Sequence, residues 1–428
     1  MIAALFGVVV VVMLLSVPIG VSLIVAVLLY ISLTGNVSFY PMVITKMFTA
    51  VDNFSLLAMP CFIFAGNVMA DGGISARLVR FVKILLGWTP ASLANITVGA
   101  SAFFGAISGS NAATCAAIGG ITIPEMKNNG YPDDVAAAVA AAGSTLGCVV
   151  PPSVNMITYA ITASVSVTTM FTAGFMPALI MAISMIVVNV IFLKKYEVRD
   201  VKLPSAKVVW AAFKEAIWAL LMPVIILGGI YGGICTPTEA GAVSCLYGVV
   251  VSLFIYKEIK FRDLAPILIN SAITSAAILF VMAAATPFQW IMSSSGMSQT
   301  IANFVLNTVD SRIVILLLIN IVLLFLGCFL ETTAIILLMT PVLLPIAISI
   351  GLDPIVLGII TIVNTSIGMI TPPMAVCLFV ASGISGCRIE AISKRIIPFL
   401  IAEIVALLII TYWPDIILVL PRLSGYTG

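Results

Sequence analysis

The chain alternates long uncharged apolar runs with short polar connections, and that alternation sets its elements. No Asp, Glu, Lys or Arg occurs before Lys46, between Lys83 and Glu125, or between Asp134 and Lys194. Each gap can house one or more membrane spans of about 20 residues. Residues 2–33 form one apolar run interrupted by Pro18 and Gly20, read as two short spans meeting at a tight turn in preference to one over-long helix. Residues 34–52 read as a polar connection and 54–70 as a span. From Ile74 to Leu86 the pattern turns amphipathic, with Arg77, Arg80 and Lys83 on one side and Leu78, Phe81, Val82 and Leu85 available for the other. That predicts a helix lying along the membrane surface. Further spans are expected at 175–193, 216–234, 240–256, about 266–290 and 396–413, with a second surface helix at 296–309 and a short polar tail.

Two stretches break the pattern. Residues 91–124 are long enough to cross once, yet Gly99, Gly105, Gly109, Gly119, Gly120, Ser101, Ser108 and Ser110 would make a poor continuous helix. They predict a re-entrant hairpin with its tip at residues 108–111; the alternative is small residues that let ordinary spans pack closely. Residues 134–146 and 153–165 then read as half-helices around Pro151-Pro152. The construction returns as a hairpin over 313–346, its tip at residues 331–333, and half-helices 354–366 and 374–385 around Pro372-Pro373. Hydrocarbon does not tolerate unpaired backbone, so such breaks must be buried in protein or line a polar cavity.

The recurrence is a repeat. A shift of 221 residues places Pro124 on Pro345, Gly130 on Gly351, Gly147 on Gly368, Pro151-Pro152 on Pro372-Pro373 and Pro177 on Pro398. A shift of 219 places Pro18 on Pro237. Charge indicates that the copies are inverted. The first surface helix carries three basic residues where 296–312 carries only Arg312, whereas 161–177 carries none where 383–398 carries Arg388, Lys394 and Arg395. Opposite bias at matching places means opposite orientation. The loop 125–134 leans the other way, with Glu125, Asp133 and Asp134 against Lys127, but acidic residues weigh little in this rule. The segment 194–214 holds Lys194, Lys195, Arg199, Lys202, Lys207 and Lys214 and is expected to be a cytoplasmic linker between repeats 1–193 and 215–428. Within the first repeat, 1–70 are scaffold spans, 74–88 an arm and 91–165 a transport core; in the second, 216–290, 296–309 and 313–385 play the same parts.

Composition agrees with this reading. Of 428 residues 62% are hydrophobic and 8% charged, with a mean hydropathy of +1.26. The fold class is therefore an all-α polytopic membrane protein, an inverted-repeat transporter with about ten spanning helices and two re-entrant hairpins. No basic segment precedes the first apolar run, so that run is expected to remain as a span, not a cleaved signal. Histidine is absent, which removes the commonest metal ligand and general base. The eight cysteines form no CxxC pair and read as small core residues. A net charge of +2, with basic residues at helix ends, implies no nucleic-acid partner.

Broken helices offer free carbonyls that can hold a sodium ion and half-helix N-termini that favour an anion. The candidate cation ligands are Ser108 and Asn111 with carbonyls near Gly147 and Val150. Their inverted counterparts are Gly327, Gly368, Thr371 and Met374. No Lys or Arg falls in 84–124, 135–193 or 313–387, so a carboxylate would be held by backbone N–H, hydroxyls, amides and bound cations. Ser110, Thr332 and Thr333 at the tips, with Pro151, Ser153 and Pro372 at the breaks, are the substrate-side candidates. Glu239, Glu331 and Glu403 are acids at membrane depth and suspects on that ground. Glu331 sits at the second tip and suits ion, substrate or a structural hydrogen bond, while Glu239 suits a helix N-terminus.

Phe104-Gly-Ala-Ile-Ser-Gly-Ser110, Ile123-Pro-Glu-Met126 with Gly130-Tyr131, Val150-Pro-Pro-Ser153 and Cys235-Thr-Pro-Thr-Glu-Ala-Gly-Ala-Val243 resemble the DctM-type large membrane subunit of tripartite ATP-independent periplasmic (TRAP) transporters. The likeness covers essentially the whole chain. It implies a sodium-driven symporter of the bacterial or archaeal inner membrane with an elevator-like motion. It also implies a soluble periplasmic binding protein, a small four-helix membrane subunit and a small organic anion such as a sialic acid or C4-dicarboxylate as substrate. Met1 opens on the first helix, so the small subunit is expected to be a separate chain. Asn111 after Ser-Gly-Ser departs from the smaller residue the family pattern implies. A stand-alone sodium/dicarboxylate symporter is the nearest rival, and a subunit that carries no substrate is a third reading. An intramembrane enzyme is disfavoured by the missing histidine, Asp pair and P-loop. Apart from sodium as coupling ion, no cofactor or transition metal is expected.

Overall fold

A computed structural model describes residues 2–15, 17–196, 205–309 and 311–427. The middle of the expected linker, with Arg199 and Lys202, lies outside them. The described residues are helical, without a strand. Ile2–Leu14 and Ile19–Thr34 are separate helices, because Pro18 carries no N–H to continue the first. Two expectations fail. Residues 34–52 are more than a connection, since Phe39–Val51 is a 13-residue helix; the turn is confined to the Gly-Asn-Val-Ser stretch before it, and Pro41 falls in the first turn, where a missing N–H costs nothing. The polar tail is also a helix, Pro414–Leu423, whose Ile417, Leu418 and Pro421 are buried against the long helix Val167–Leu193.

Seven helices among the described residues are long and apolar enough to cross a membrane, or eight with the pair Asp133–Val149 and Val154–Thr162, which bends by 43°. The other apolar helices, such as Ile19–Thr34 and Phe39–Val51, are shorter. The anticipated ten spans therefore depend on helices of 10–17 residues. Phe261–Ser294 runs 34 residues without a break, where the matching part of the first half is divided into Phe39–Val51 and Ala58–Asp71. Asn53 makes that division by accepting a hydrogen bond from the Ser55 N–H at 2.9 Å.

The hairpins and broken helices form as the glycine and proline pattern requires. Ser92–Ser108 and Asn111–Asn128 pack together across a two-residue turn in which Gly109 has φ +60°, a conformation open to glycine. Arg312–Gly327 and Thr332–Ser349 form the second hairpin across a four-residue turn, residues 328–331, that uses no positive-φ glycine. The broken helices are the buried axis of the molecule. Every residue from Val135 to Ser144, and every residue from Ile355 to Gly368, is buried, as expected of helices apolar on all sides.

Inversion is visible in the contacts. The Tyr159 hydroxyl, near the end of the first broken helix, donates to the Pro354 carbonyl at the start of the second, at 2.7 Å. Lys127, just before the first, donates to the Ser385 carbonyl at the end of the second, at 3.1 Å. The broken helices thus lie side by side and antiparallel. Equivalent contacts are exchanged between halves: Asn111–Asn128 packs on Val376–Ser385, and Thr332–Ser349 on Val154–Thr162. Outside this core, Ala58–Asp71 packs on Pro237–Val250, and Phe261–Ser294 on Ile19–Thr34.

The acidic loop that ran against the charge rule is explained by its partners. Glu125 pairs with Lys83, Asp133 with Lys127 at 2.9 Å and Asp134 with Arg395 at 2.7 Å. The arm helix Ile74–Leu86 adds Arg80 with Glu215 at 2.9 Å and Arg77 with Glu258 at 3.0 Å. The acids are counterions to bases on one face. Val79, not Leu85, completes the buried side of the arm.

Each broken helix touches its hairpin through a glycine. A Cβ on Gly147 would lie 2.5 Å from the Ser110 carbonyl oxygen, and one on Gly368 would lie 2.5 Å from the Gly327 backbone. Gly147→Ala and Gly368→Ala are expected to destabilise the chain by about 1–3 kcal/mol, read as a lowered melting temperature. Gly383→Ala, with nothing within 4 Å, should stay within about 0.5 kcal/mol of the parent; equal effects at all three positions would contradict this packing.

Candidate functional site

The two tips and the two breaks converge on one cavity of about 430 Å³. Its core wall is made by Ser108, Ser110 and Asn111 of the first tip and Glu331, Thr332 and Thr333 of the second. The opposite wall comes from helices expected to be scaffold. Gly66 and Asn67 come from Ala58–Asp71 and Thr274 from Phe261–Ser294, and Asn67 donates to Ser271 at 2.8 Å. The cavity therefore lies between the two bodies that the sequence divides into core and scaffold.

At the first tip, Ser110 caps the helix Asn111–Asn128 and accepts from the Ala113 N–H. Its carbonyl accepts from Thr114 Oγ1 at 2.8 Å, and Ser108 Oγ lies 3.0 Å from the same Thr114 oxygen. Three oxygens are thus gathered against Gly147, whose missing side chain admits the Ser110 carbonyl. That is an oxygen cluster suited to a hard monovalent cation. Asn111 is buried, with Oδ1 accepting the Cys148 N–H at 2.7 Å and Nδ2 donating to Met369 Sδ at 3.5 Å. Its carboxamide ties the tip to both broken helices.

The remaining sequence candidates divide by half. Val150, Pro151 and Ser153 are outside the cavity wall: Ser153 lies against Gly109 of the first tip and Pro151 near Gly174; the Pro151-Pro152 bond is cis, and Ser153 Oγ is buried with no hydrogen-bond partner among the described residues. Gly327 and Gly368 touch each other through backbone. Thr371 Oγ1 donates to the Ile367 carbonyl of its own helix at 2.8 Å, and Pro372 and Met374 are exposed. The second break thus turns Met369, not Thr371 or Met374, toward the cavity.

Glu331 caps Thr332–Ser349 by position but makes no side-chain cap, and its carboxylate has no ion pair among the described residues. It is the one carboxylate of the cavity wall, which holds no Lys or Arg. Glu239 closes a capping box with Thr236, accepting the Thr236 N–H at 2.8 Å, and lies outside the cavity. Glu403 is fully buried and accepts from Thr145 Oγ1 at 2.9 Å. Sequence reasoning missed Asn155, Thr114, Cys148 and Asn67. A polar residue within an otherwise apolar half-helix was the available signal for Asn155 and Thr114; nothing in the pattern separates Cys148 from a core cysteine.

An all-helical membrane protein whose inverted halves present their broken helices to a shared cavity is a membrane transport protein. The family model of the tripartite ATP-independent periplasmic transporter, DctM component, matches residues 6–416. The C4-dicarboxylate TRAP transporter large permease protein DctM of Rhodobacter capsulatus is 36% identical over 98% of each chain. The sialic acid TRAP transporter large permease protein SiaM of Vibrio cholerae is 35% identical over 96% of each. The isethionate TRAP transporter permease protein DctMQ of Oleidesulfovibrio alaskensis is 40% identical over 96% of this chain, which spans 65% of that relative's length. The solved YdaH transporter of Alcanivorax borkumensis shares the fold, with a TM-score of 0.65, 14% identity and 89% coverage of each chain. The chain belongs to the DctM family of TRAP transporter large permease subunits, multi-pass proteins of the inner membrane.

Asn111→Leu would leave the Cys148 N–H buried and unpaired. A loss of about 1–3 kcal/mol is expected, measured as a lowered melting temperature of the purified protein. An unchanged melting temperature would show that Asn111 does not hold the break.

Proposed function

We propose that this subunit imports a small organic acid together with sodium, by movement of the hairpin core against the scaffold. The observation that carries this reading is the cavity between the two bodies. Its wall combines apolar side chains such as Ile63, Phe104 and Ile278 with hydroxyls, amides, helix N-termini and the Glu331 carboxylate, and contains no arginine or lysine. An acid entering it would be held at the N-terminal end of Asn111–Asn128, where N–H groups and the helix dipole favour negative charge. Sodium held by the Ser108, Ser110 and Thr114 oxygens, and by carbonyls at the second break, would supply the positive charge that the wall lacks. Several relatives are named for anionic substrates, including C4-dicarboxylates, sialic acid, isethionate and 2,3-diketo-L-gulonate, which supports an organic anion as the cargo class. A small four-helix membrane subunit and a periplasmic binding protein complete the proposed assembly.

The test is uptake into proteoliposomes containing this subunit and its small partner, with labelled C4-dicarboxylate and sialic acid as probes. Uptake is expected to need a sodium gradient and the loaded binding protein, and Ser108→Ala should lower it roughly tenfold at subsaturating sodium. Uptake that is equally fast with potassium replacing sodium would overturn the coupling. Uptake without the binding protein would favour a self-sufficient symporter.

A further inference from the structure

Five hydrogen bonds join the tips and breaks of the two repeats into a closed ring. Thr333 Oγ1 of the second tip donates to Asn155 Oδ1 at 2.9 Å. Asn155 Nδ2 donates to Cys148 Sγ at 2.8 Å, and the Cys148 N–H donates to Asn111 Oδ1 at 2.7 Å. Asn111 Nδ2 and Thr332 Oγ1 then share Met369 Sδ, at 3.5 and 3.6 Å. Thr332 and Thr333 are adjacent, which closes the circuit.

The ring crosses between repeats twice. One crossing ends on a thioether sulfur, a weak acceptor. The other, Thr333 to Asn155, ends on an amide oxygen and is the stronger link. Asn155 suits it because one planar group offers an acceptor to Thr333 and a donor to Cys148; an aspartate would lack the donor and a leucine both. Both Asn155 and Thr333 are buried, so either left alone would keep an unsatisfied polar group. No ligand is needed to form the link.

We propose that Asn155 is a positioning residue through which the second tip sets the geometry of the first break. A group that draws Thr333 aside releases Asn155. Cys148 then loses its amide partner, and the Asn111 contact that fixes the first tip loosens with it. Occupation of one repeat would in this way alter the other, a coupling between two separate places. Its meaning for transport rests on the function proposed above, but the link itself needs neither sodium nor substrate to be measured.

The native thiol of Cys148 is the reporter. In the purified protein with its small subunit, methyl methanethiosulfonate modification of Cys148 is followed by peptide mass spectrometry. Thr333→Val removes a hydroxyl that does not touch Cys148. It is expected to speed modification roughly tenfold, a typical coupling, as is Asn155→Ala. The double variant should match Asn155→Ala alone, since both act through one link, and Thr333→Ser should restore the parent rate. A Thr333→Val rate equal to the parent's would overturn the proposal, as would independent, multiplicative effects in the double variant. If Asn155→Ala does not fold, the valine and serine variants decide alone. Because no gradient is used, failure here leaves the sodium reading standing, and a sodium-independent uptake would leave this result standing.

Discussion

Every peptide group placed in a bilayer needs a hydrogen-bond partner, and this molecule departs from that demand at two matched points. The double prolines stop the helical ladder inside the most deeply buried helices of the chain. At the first break the interrupted backbone is covered by the other elements, with Pro151, Pro152 and Ser153 buried, whereas Pro372, Pro373 and Met374 at the second are exposed. Each broken helix meets a hairpin of its own repeat at a glycine, while the hairpin's second helix packs on the broken helix of the other repeat. Removing either partner would expose polar backbone to hydrocarbon, so the four pieces stand or fall as a unit.

That arrangement explains why the site needs no fixed positive charge. Arginine or lysine in such a core would have to be desolvated and paired. Oxygens and helix termini can be satisfied by one another, as Ser108, Thr114 and the Ser110 carbonyl are. The same atoms can turn to a cation. Glu331 is the one carboxylate on that wall, and a coupling cation of the kind proposed above would be the positive charge nearest to it.

Much of this could be read from residue order. The glycine-serine tips, the proline pairs and the 221-residue shift place both hairpins and both broken helices, because backbone constraints are local and specific. The inversion was legible in Arg388, Lys394 and Arg395 against an uncharged counterpart. What escaped were features that depend on partners. Phe39–Val51 reads as a connection because its polar flank masks a helix that leans on Trp290, with ring centroids 4.9 Å apart. Pro414–Leu423 shows its apolar side only once Val167–Leu193 is there to receive it. At the site, the hydroxyls and amides expected at the tips line the cavity, but what Asn155 and Met369 touch is set by Thr333 and Asn111, each more than 150 residues away in the chain.

The arm helix Ile74–Leu86 makes three ionic attachments of unequal kind. Two guanidinium groups hold it to Glu215 and Glu258, and Arg77 also lies 3.8 Å over the Tyr256 ring; a single flexible ammonium, Lys83, reaches the hairpin at Glu125. Guanidinium forks are the more rigid of the two chemistries. The arm is therefore joined through guanidinium groups to Glu215 and Glu258 and through one ammonium to the hairpin. Of the three pairs Arg80 with Glu215 is the most open to solvent, while Arg77 is shielded by the Tyr256 ring, so dissolved salt loosens the arm at Arg80 before it reaches Arg77.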